Sequence, residues 1–179
     1  MQIQAGQYKG RRIKTVANAP YRPSTSVVRK SLFEILGDLS GKHVLDLFAG
    51  SGILGFEAAS RGAESVTFVE LSMRVISLLK MNGAIFKNTE FHYYRTDALK
   101  FLNKCNSYDL ILADPPYQFS ETELVAKKAI NRINHNGFLI LESSPREFSI
   151  SPARVKQYGD TQLTFWKKKH ENRNIPWNI

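Results

Sequence analysis

Only one cysteine, Cys105, occurs in the 179 residues, which excludes an intrachain disulfide framework. The four histidines, His43, His92, His135 and His170, are scattered. They share no metal-ligand spacing with one another or with Cys105, so no metal is expected. No apolar run approaches the length of a membrane span. The segment Met1 to Lys14 is polar and basic and reads as neither a signal peptide nor a membrane anchor. Internal repeats and low-complexity segments are absent. What remains is a soluble protein of a reducing compartment, with the cytoplasm as the expected location and no membrane partner.

What is present is one domain's worth of chain with 42% hydrophobic residues, enough to bury a core without disulfides or metal. The net charge is +9, and it sits at the two ends. Residues 1–42 carry eight Lys/Arg (Lys9, Arg11, Arg12, Lys14, Arg22, Arg29, Lys30, Lys42) against Glu34 and Asp38. Residues 166–179 carry Lys167, Lys168, Lys169 and Arg173 against Glu171, which leaves the middle neutral. A neutral core with basic ends suits contact with a polyanion. A basic surface that only aids solubility has the same composition.

Gly6 and Gly10 punctuate short mixed runs over residues 2–16, the pattern of a small β-hairpin. Pro20 and Pro23 mark residues 17–24 as a linker. Ser24 or Thr25 can cap a helix carrying Val27, Val28, Leu32, Phe33, Ile35 and Leu36, ended by Gly37 and Gly41. From His43 onward strands and helices alternate. The predicted strands are His43–Leu47, Ser65–Glu70, Glu90–Arg95, Tyr108–Ala113 and Gly137–Glu142. The predicted helices are Ile53–Ser60, Met73–Phe86, Ala98–Asn103 and Glu121–Ile133. That alternation implies an open parallel sheet covered by helices on both sides. Runs at Val155–Tyr158 and Gln162–Trp166, with Gly159-Asp160 between them, predict a terminal antiparallel hairpin.

Asp46-Leu47-Phe48-Ala49-Gly50-Ser51-Gly52-Ile53-Leu54-Gly55 leaves the first strand and opens a helix. There, glycines let the backbone approach a ligand and the helix N-terminus offers free N–H groups. Glu70 ends the second strand, 20 residues after Gly50, where a carboxylate can accept from ribose hydroxyls. The same spacing fits a dinucleotide fingerprint, so a nicotinamide dehydrogenase is a rival at this point. Asp46 argues for S-adenosylmethionine instead: a carboxylate just before the turn receives a cationic amino-acid group and repels a pyrophosphate. Asp97, followed by Ala98, can accept from the adenine amino group. It can also simply cap the helix that follows. The cofactor residues expected on this reading are Asp46, Phe48, Ala49, Gly50, Ser51, Gly52, Glu70, Asp97 and Ala98.

Asp114-Pro115-Pro116-Tyr117 follows the fourth predicted strand. In a doubly wound sheet strand four lies beside strand one, and ligands bind at their carboxyl ends. The two motifs therefore converge on one cleft. An exocyclic amino group on a base is a poor nucleophile, because its lone pair is delocalised into the ring. Acceptors on its N–H groups rotate the nitrogen toward tetrahedral geometry, and Asp114 and the Pro115 carbonyl are placed to be those acceptors. The two prolines restrict φ and remove backbone donors, and Tyr117 offers a face for base stacking. The alternative is a rigid loop that only closes a strand. Glu57 and Cys105 read as structural.

These residues resemble the RsmD-type bacterial methyltransferases, which modify a guanine N2 in small-subunit ribosomal RNA. The resemblance runs from about Gly6 to Trp166. It rests on Ala5-Gly6-Gln7-Tyr8-Lys9-Gly10-Arg11-Arg12, on Arg22-Pro23-Ser24-Thr25 leading into Ser31-Leu32-Phe33, and on Arg61-Gly62-Ala63, besides the two cleft motifs. Ser26 and Lys30 stand where the family carries acidic residues, and the last dozen residues match nothing in it. The resemblance implies an α/β, Rossmann-like class I methyltransferase fold. Its sheet would be mostly parallel and seven-stranded, with helices on both faces, after a small N-terminal β-hairpin and helix. Residues 1–42 would form a basic extension contacting RNA through Lys9, Arg11, Arg12, Lys14 and Arg22. Residues 43–168 would be the methyltransferase domain and 169–179 a basic tail. S-adenosyl-L-methionine would be the donor and ribosomal RNA, within a small-subunit ribonucleoprotein, the partner of a monomeric enzyme. The same motif also resembles the N6-adenine methyltransferases of DNA or RNA, although no target-recognition region accompanies it here. An RNA-binding assembly factor without activity is the remaining alternative.

Overall fold

The structure is a computed structural model and describes residues 1–15 and 25–168. Seven strands form one sheet in the order β3-β2-β1-β4-β5-β7-β6. β1 (His43–Leu47), β2 (Ser65–Glu70), β3 (Glu90–Arg95) and β4 (Tyr108–Ala113) match their predicted bounds and pair in parallel. β5 (Ile133–Ser143) pairs in parallel with β4. β7 (Thr161–Lys167) and β6 (Arg154–Tyr158) complete the sheet as an antiparallel hairpin.

Side chains alternate across the sheet, and each face has its own core. Val44, Val66, Phe68, Leu110 and Leu112 face one cluster, with residues of α1 (Ser26–Leu36), α2 (Ile53–Ser60) and α3 (Met73–Gly83). Leu45, Leu47, Val69, Ile111 and Ala113 face the other, with α4 (Ala98–Leu102) and α5 (Thr122–Ile130). Thr25 caps α1 by accepting from the Val28 N–H. The predicted linker at 17–24 and the tail at 169–179 lie outside the described residues.

Several boundaries differ from the sequence reading. α3 ends at Gly83 rather than Phe86. Gly83 packs against β3, where an added Cβ would lie 2.0 Å from the Tyr93 hydroxyl. α4 closes at Leu102, with Asn103 as its cap. α5 begins at Thr122 and stops at Ile130, because β5 already starts at Ile133. Asn134-His135-Asn136, which the sequence reading leaves between the helix and the strand from Gly137, belong to β5 and carry a register shift opposite Tyr108–Leu110. Asn136 takes φ 61° there, as a bulged strand allows.

The N-terminal hairpin is short: Met1–Ile3 and Gly10–Ile13 exchange backbone hydrogen bonds around one antiparallel bridge, Gln2 with Arg12. The body of the domain also holds this hairpin in place. Ile3 and Ile13 are buried in the α1–α3 core. The fully buried Glu57 carboxylate of α2 accepts from the Gln4 N–H at 2.8 Å and the Ala5 N–H at 3.0 Å. Gly6, at φ 79°, passes so close to α2 that a Cβ would lie 1.9 Å from the Ser60 carbonyl oxygen. Arg29, which the sequence offers as a surface charge, is also buried, and its guanidinium donates to the Gln2 carbonyl.

Candidate active site

A cleft of about 570 Å³ opens at the carboxyl ends of β1, β2, β4 and β5. It lies where the strand order reverses beside β1, the place where open α/β sheets bind ligands. Asp46, Phe48, Ala49, Gly50, Ser51, Glu70, Asp97 and Ala98 line it from one side, and Asp114, Pro115, Pro116 and Tyr117 from the other. Gly52 alone among the predicted cleft residues does not. It starts α2 at φ 74°, and a Cβ there would lie 2.3 Å from a Leu79 methyl carbon, so its glycine serves packing.

The loop after β1 is held by carboxylates. Asp46 accepts from the Gly55 N–H at 2.9 Å, across the whole Gly-rich turn. Glu70 accepts from the Gly50, Leu71 and Ser72 N–H groups at 3.0, 2.8 and 3.0 Å. Burial pushes the Asp46 carboxyl up to about 8, partly opposed by the Gly55 hydrogen bond and reinforced by the nearby Glu70 charge. Asp97 caps α4 by accepting from the Lys100 N–H at 2.9 Å while lining the cleft.

Phe48 takes φ 60°, a conformation that a bulky side chain adopts at a cost and that clusters at functional sites. Its ring meets Phe119 edge-on, with centroids 5.2 Å apart. The two loops that form the cleft therefore touch through an aromatic pair. On the second loop Pro115 is buried, Asp114 and Tyr117 half-buried and Pro116 exposed. The Tyr117 hydroxyl shares a 2.8 Å hydrogen bond with Thr161 at the start of β7.

Five carboxylates, Asp46, Glu70, Asp97, Asp114 and Glu142, line the cleft, and among the described residues no Lys or Arg does. Such a lining favours a cationic ligand and opposes a pyrophosphate, which removes the physical basis for the dehydrogenase reading. Phe119 and Glu142 are missing from the sequence reading. Glu142 carried the signal that marked Glu70, an acid ending an apolar strand. Phe119 carried none beyond its two-residue distance from Tyr117.

Lys9, Arg11, Arg12 and Lys14 are exposed and none lines the cleft. They lie on the N-terminal loop, whose tip binds the far end of α2: the Gln7 N–H donates to the Ser60 carbonyl and the Tyr8 N–H to the Ser60 hydroxyl. Because α2 starts at the cleft, this tip faces the opposite end of the sheet. Arg22 lies outside the described residues.

A family model described as conserved hypothetical protein 95 matches residues 1–167. The chain is 33% identical to ribosomal RNA small subunit methyltransferase D of Escherichia coli K12, over 80% of this chain and 71% of that protein. It is 33% identical to the protein of the same name from Buchnera aphidicola of Acyrthosiphon pisum, over 96% and 88%. The chain belongs to the RsmD-type family of ribosomal RNA methyltransferases. Among solved structures, the Escherichia coli methyltransferase yhhF superposes with a TM-score of 0.84 at 26% identity, covering 94% of this chain and 98% of that one. The same fold recurs at 17% identity and a TM-score of 0.65 in SMU.776, crystallised with SAH, over 79% and 48%. In this RsmD-type chain the Rossmann-like sheet thus brings the two sequence motifs into a single cleft.

Proposed function

We propose that this chain transfers a methyl group from S-adenosylmethionine to the exocyclic N2 of a guanine in small-subunit ribosomal RNA. The carrying observation is the convergence of Asp46, Glu70 and Asp97 with Asp114–Tyr117 in one acidic cleft. The family membership supports the RNA substrate. A single chain would meet that RNA within a ribonucleoprotein, with the exposed Lys9, Arg11, Arg12 and Lys14, and Arg22, contacting its backbone. Residues 43–168 would carry the chemistry, and 1–42 the RNA contact.

The cleft fits the donor. Asp46, whose carboxyl burial pushes up, gains from a cationic partner that offsets that burial. Glu70 would accept from ribose hydroxyls through its remaining lone pairs, and Asp97 from the adenine amine. Phe48, Ala49, Gly50, Ser51 and Ala98 would supply backbone and shape. When bound, S-adenosylmethionine supplies a methyl group activated by sulfonium charge.

The chain's own work is on the acceptor. Asp114 and the Pro115 carbonyl would each accept an N–H of the amine, freeing its lone pair. Tyr117 would hold the base flat against its ring, worth about 1–3 kcal/mol, with the ring angle set by Thr161. The amine gains a bond to carbon and loses one proton, which Asp114 is placed to take. Positioning carries most of the barrier reduction. The test is methylation of small-subunit RNA with labelled donor, followed by digestion to nucleosides. Label in N2-methylguanosine is expected; label in N6-methyladenosine, or none, would refute the proposal.

A further inference from the structure

The cleft holds a carboxylate that the mechanism above leaves without a task. Glu142 is the penultimate residue of β5 and Asp114 follows β4, and the register pairs Ala113 with Leu141, so the two acids occupy adjacent places on adjacent parallel strands. In-register residues on neighbouring parallel strands point to the same face, and such strands run about 4.8 Å apart. Both acids line the cleft. Glu142 is 6% exposed, so its charge lies in a weakly screened setting where a misplaced partner is costly.

We infer that Glu142 is the residue that selects guanine over other purines, by accepting the guanine N1–H while Asp114 accepts from the N2 amine. This rests on the reading of the cleft as a guanine-N2 methyltransferase site. The chemistry is asymmetric. Beside its 2-amino group guanine presents a donor, N1–H. Adenine presents an acceptor, N1, beside its amine, and so does 2-aminopurine. A carboxylate aimed at that position bonds the first and repels the other two. A buried polar group left facing a mismatched edge rejects an analogue far more strongly than a shape difference does. The same motif chemistry at Asp114–Tyr117 serves either amine, so the discrimination has to come from a neighbouring group, and Glu142 is the one the sheet places there.

The experiment uses the full chain and RNA carrying the mapped target guanosine, or 2-aminopurine riboside at that single position, and compares kcat/KM for the two. The 2-aminopurine keeps the amine to be methylated and loses only N1–H and the 6-oxo group. The expected wild-type preference for guanine is about 10- to 100-fold, the range of a hydrogen bond to a charged group. Glu142→Gln, whose amide can donate to an N1 acceptor, should compress that ratio by about 10-fold or more. A wild-type enzyme indifferent to the substitution in the RNA overturns the inference whether or not the variant folds. So does a Glu142→Gln enzyme that loses activity on both RNAs equally, because a purely structural role moves both rates and leaves their ratio alone. Absence of any guanine methylation by the wild type defeats the underlying reading as well.

Discussion

Asp46 carries two duties that pull its carboxyl in one direction each. It pins Gly55 and, on the proposed function, faces the cationic end of the donor. Its folded-state value is near 8 against 3.8 for the unfolded chain. The unfolded form therefore ionises first as pH rises, and stability falls between about pH 4 and pH 8. A cationic ligand reverses this, since binding draws the proton off. Donor affinity should rise from pH 6 toward pH 8, with proton release that calorimetry in buffers of different ionisation enthalpy can count. Asp46→Asn keeps an acceptor for Gly55, should bind more weakly by about 1–3 kcal/mol, and should lose the proton release. An Asn variant with the wild-type pH profile would remove Asp46 from the cationic site. Tyr117 offers a second reading at this scale. Its hydroxyl is tied to Thr161, so Tyr117→Phe should cost about 0.5–1.5 kcal/mol of stability while leaving single-turnover rates within a few fold. Tyr117→Ala should raise substrate KM sharply. Equal kinetic damage from both changes would mean that the hydroxyl rather than the ring serves the reaction.

At the scale of elements, the N-terminal loop is where sequence and structure part most. Its basic residues and glycines are plain to read as a small hairpin in a basic extension, but its anchoring to the domain is not. The decisive residues are Ile3 and Ile13, single apolar positions in a polar segment, and Glu57, an acid inside a helix otherwise buried throughout. Neither shows a periodic pattern, because the contact they make is between chain segments more than 50 residues apart. The β1–β4 bounds, by contrast, were legible because each strand is a short run between polar or glycine breaks. β5 was read short because Asn134-His135-Asn136 follow its first residue, Ile133, and are accommodated by a register shift that hydropathy does not encode. Glu57 also accepts from Arg61 at 2.9 Å. Glu57→Ala strands that guanidinium and two amides, and should cost about 3–5 kcal/mol. Hydrogen exchange at Gln4 and Ala5 should rise toward that of an unstructured segment, and protection retained there would contradict the account of this anchor. Neutralising Lys9, Arg11, Arg12 and Lys14 together leaves the anchor intact. It should flatten the salt dependence of RNA binding by up to about 0.9 log unit per lost phosphate contact. An unchanged slope would make the charge a solubility feature.

At the scale of the whole molecule, the sheet order decides what the motifs can do. β1 and β4 are adjacent only because the chain reverses direction of growth after β3, and that reversal brings Gly50 and Asp114 together across 64 residues of sequence. The cleft was legible from the sequence because each half is a compact motif at a strand end. The Phe48–Phe119 contact and the Glu142 neighbour of Asp114 were not, since both depend on how separate strands register. The basic loop faces the opposite end of the sheet from the cleft, so an RNA held by both would have to span the α2–α3 side of the domain. The most direct measurement is mass-spectrometric mapping of small-subunit ribosomal RNA from cells with the protein, without it, and with Asp114→Ala in its place. The account predicts one N2-methylguanosine that disappears without the protein, returns with the wild type, and does not return with Asp114→Ala. An RNA methylated identically in all three strains would contradict it.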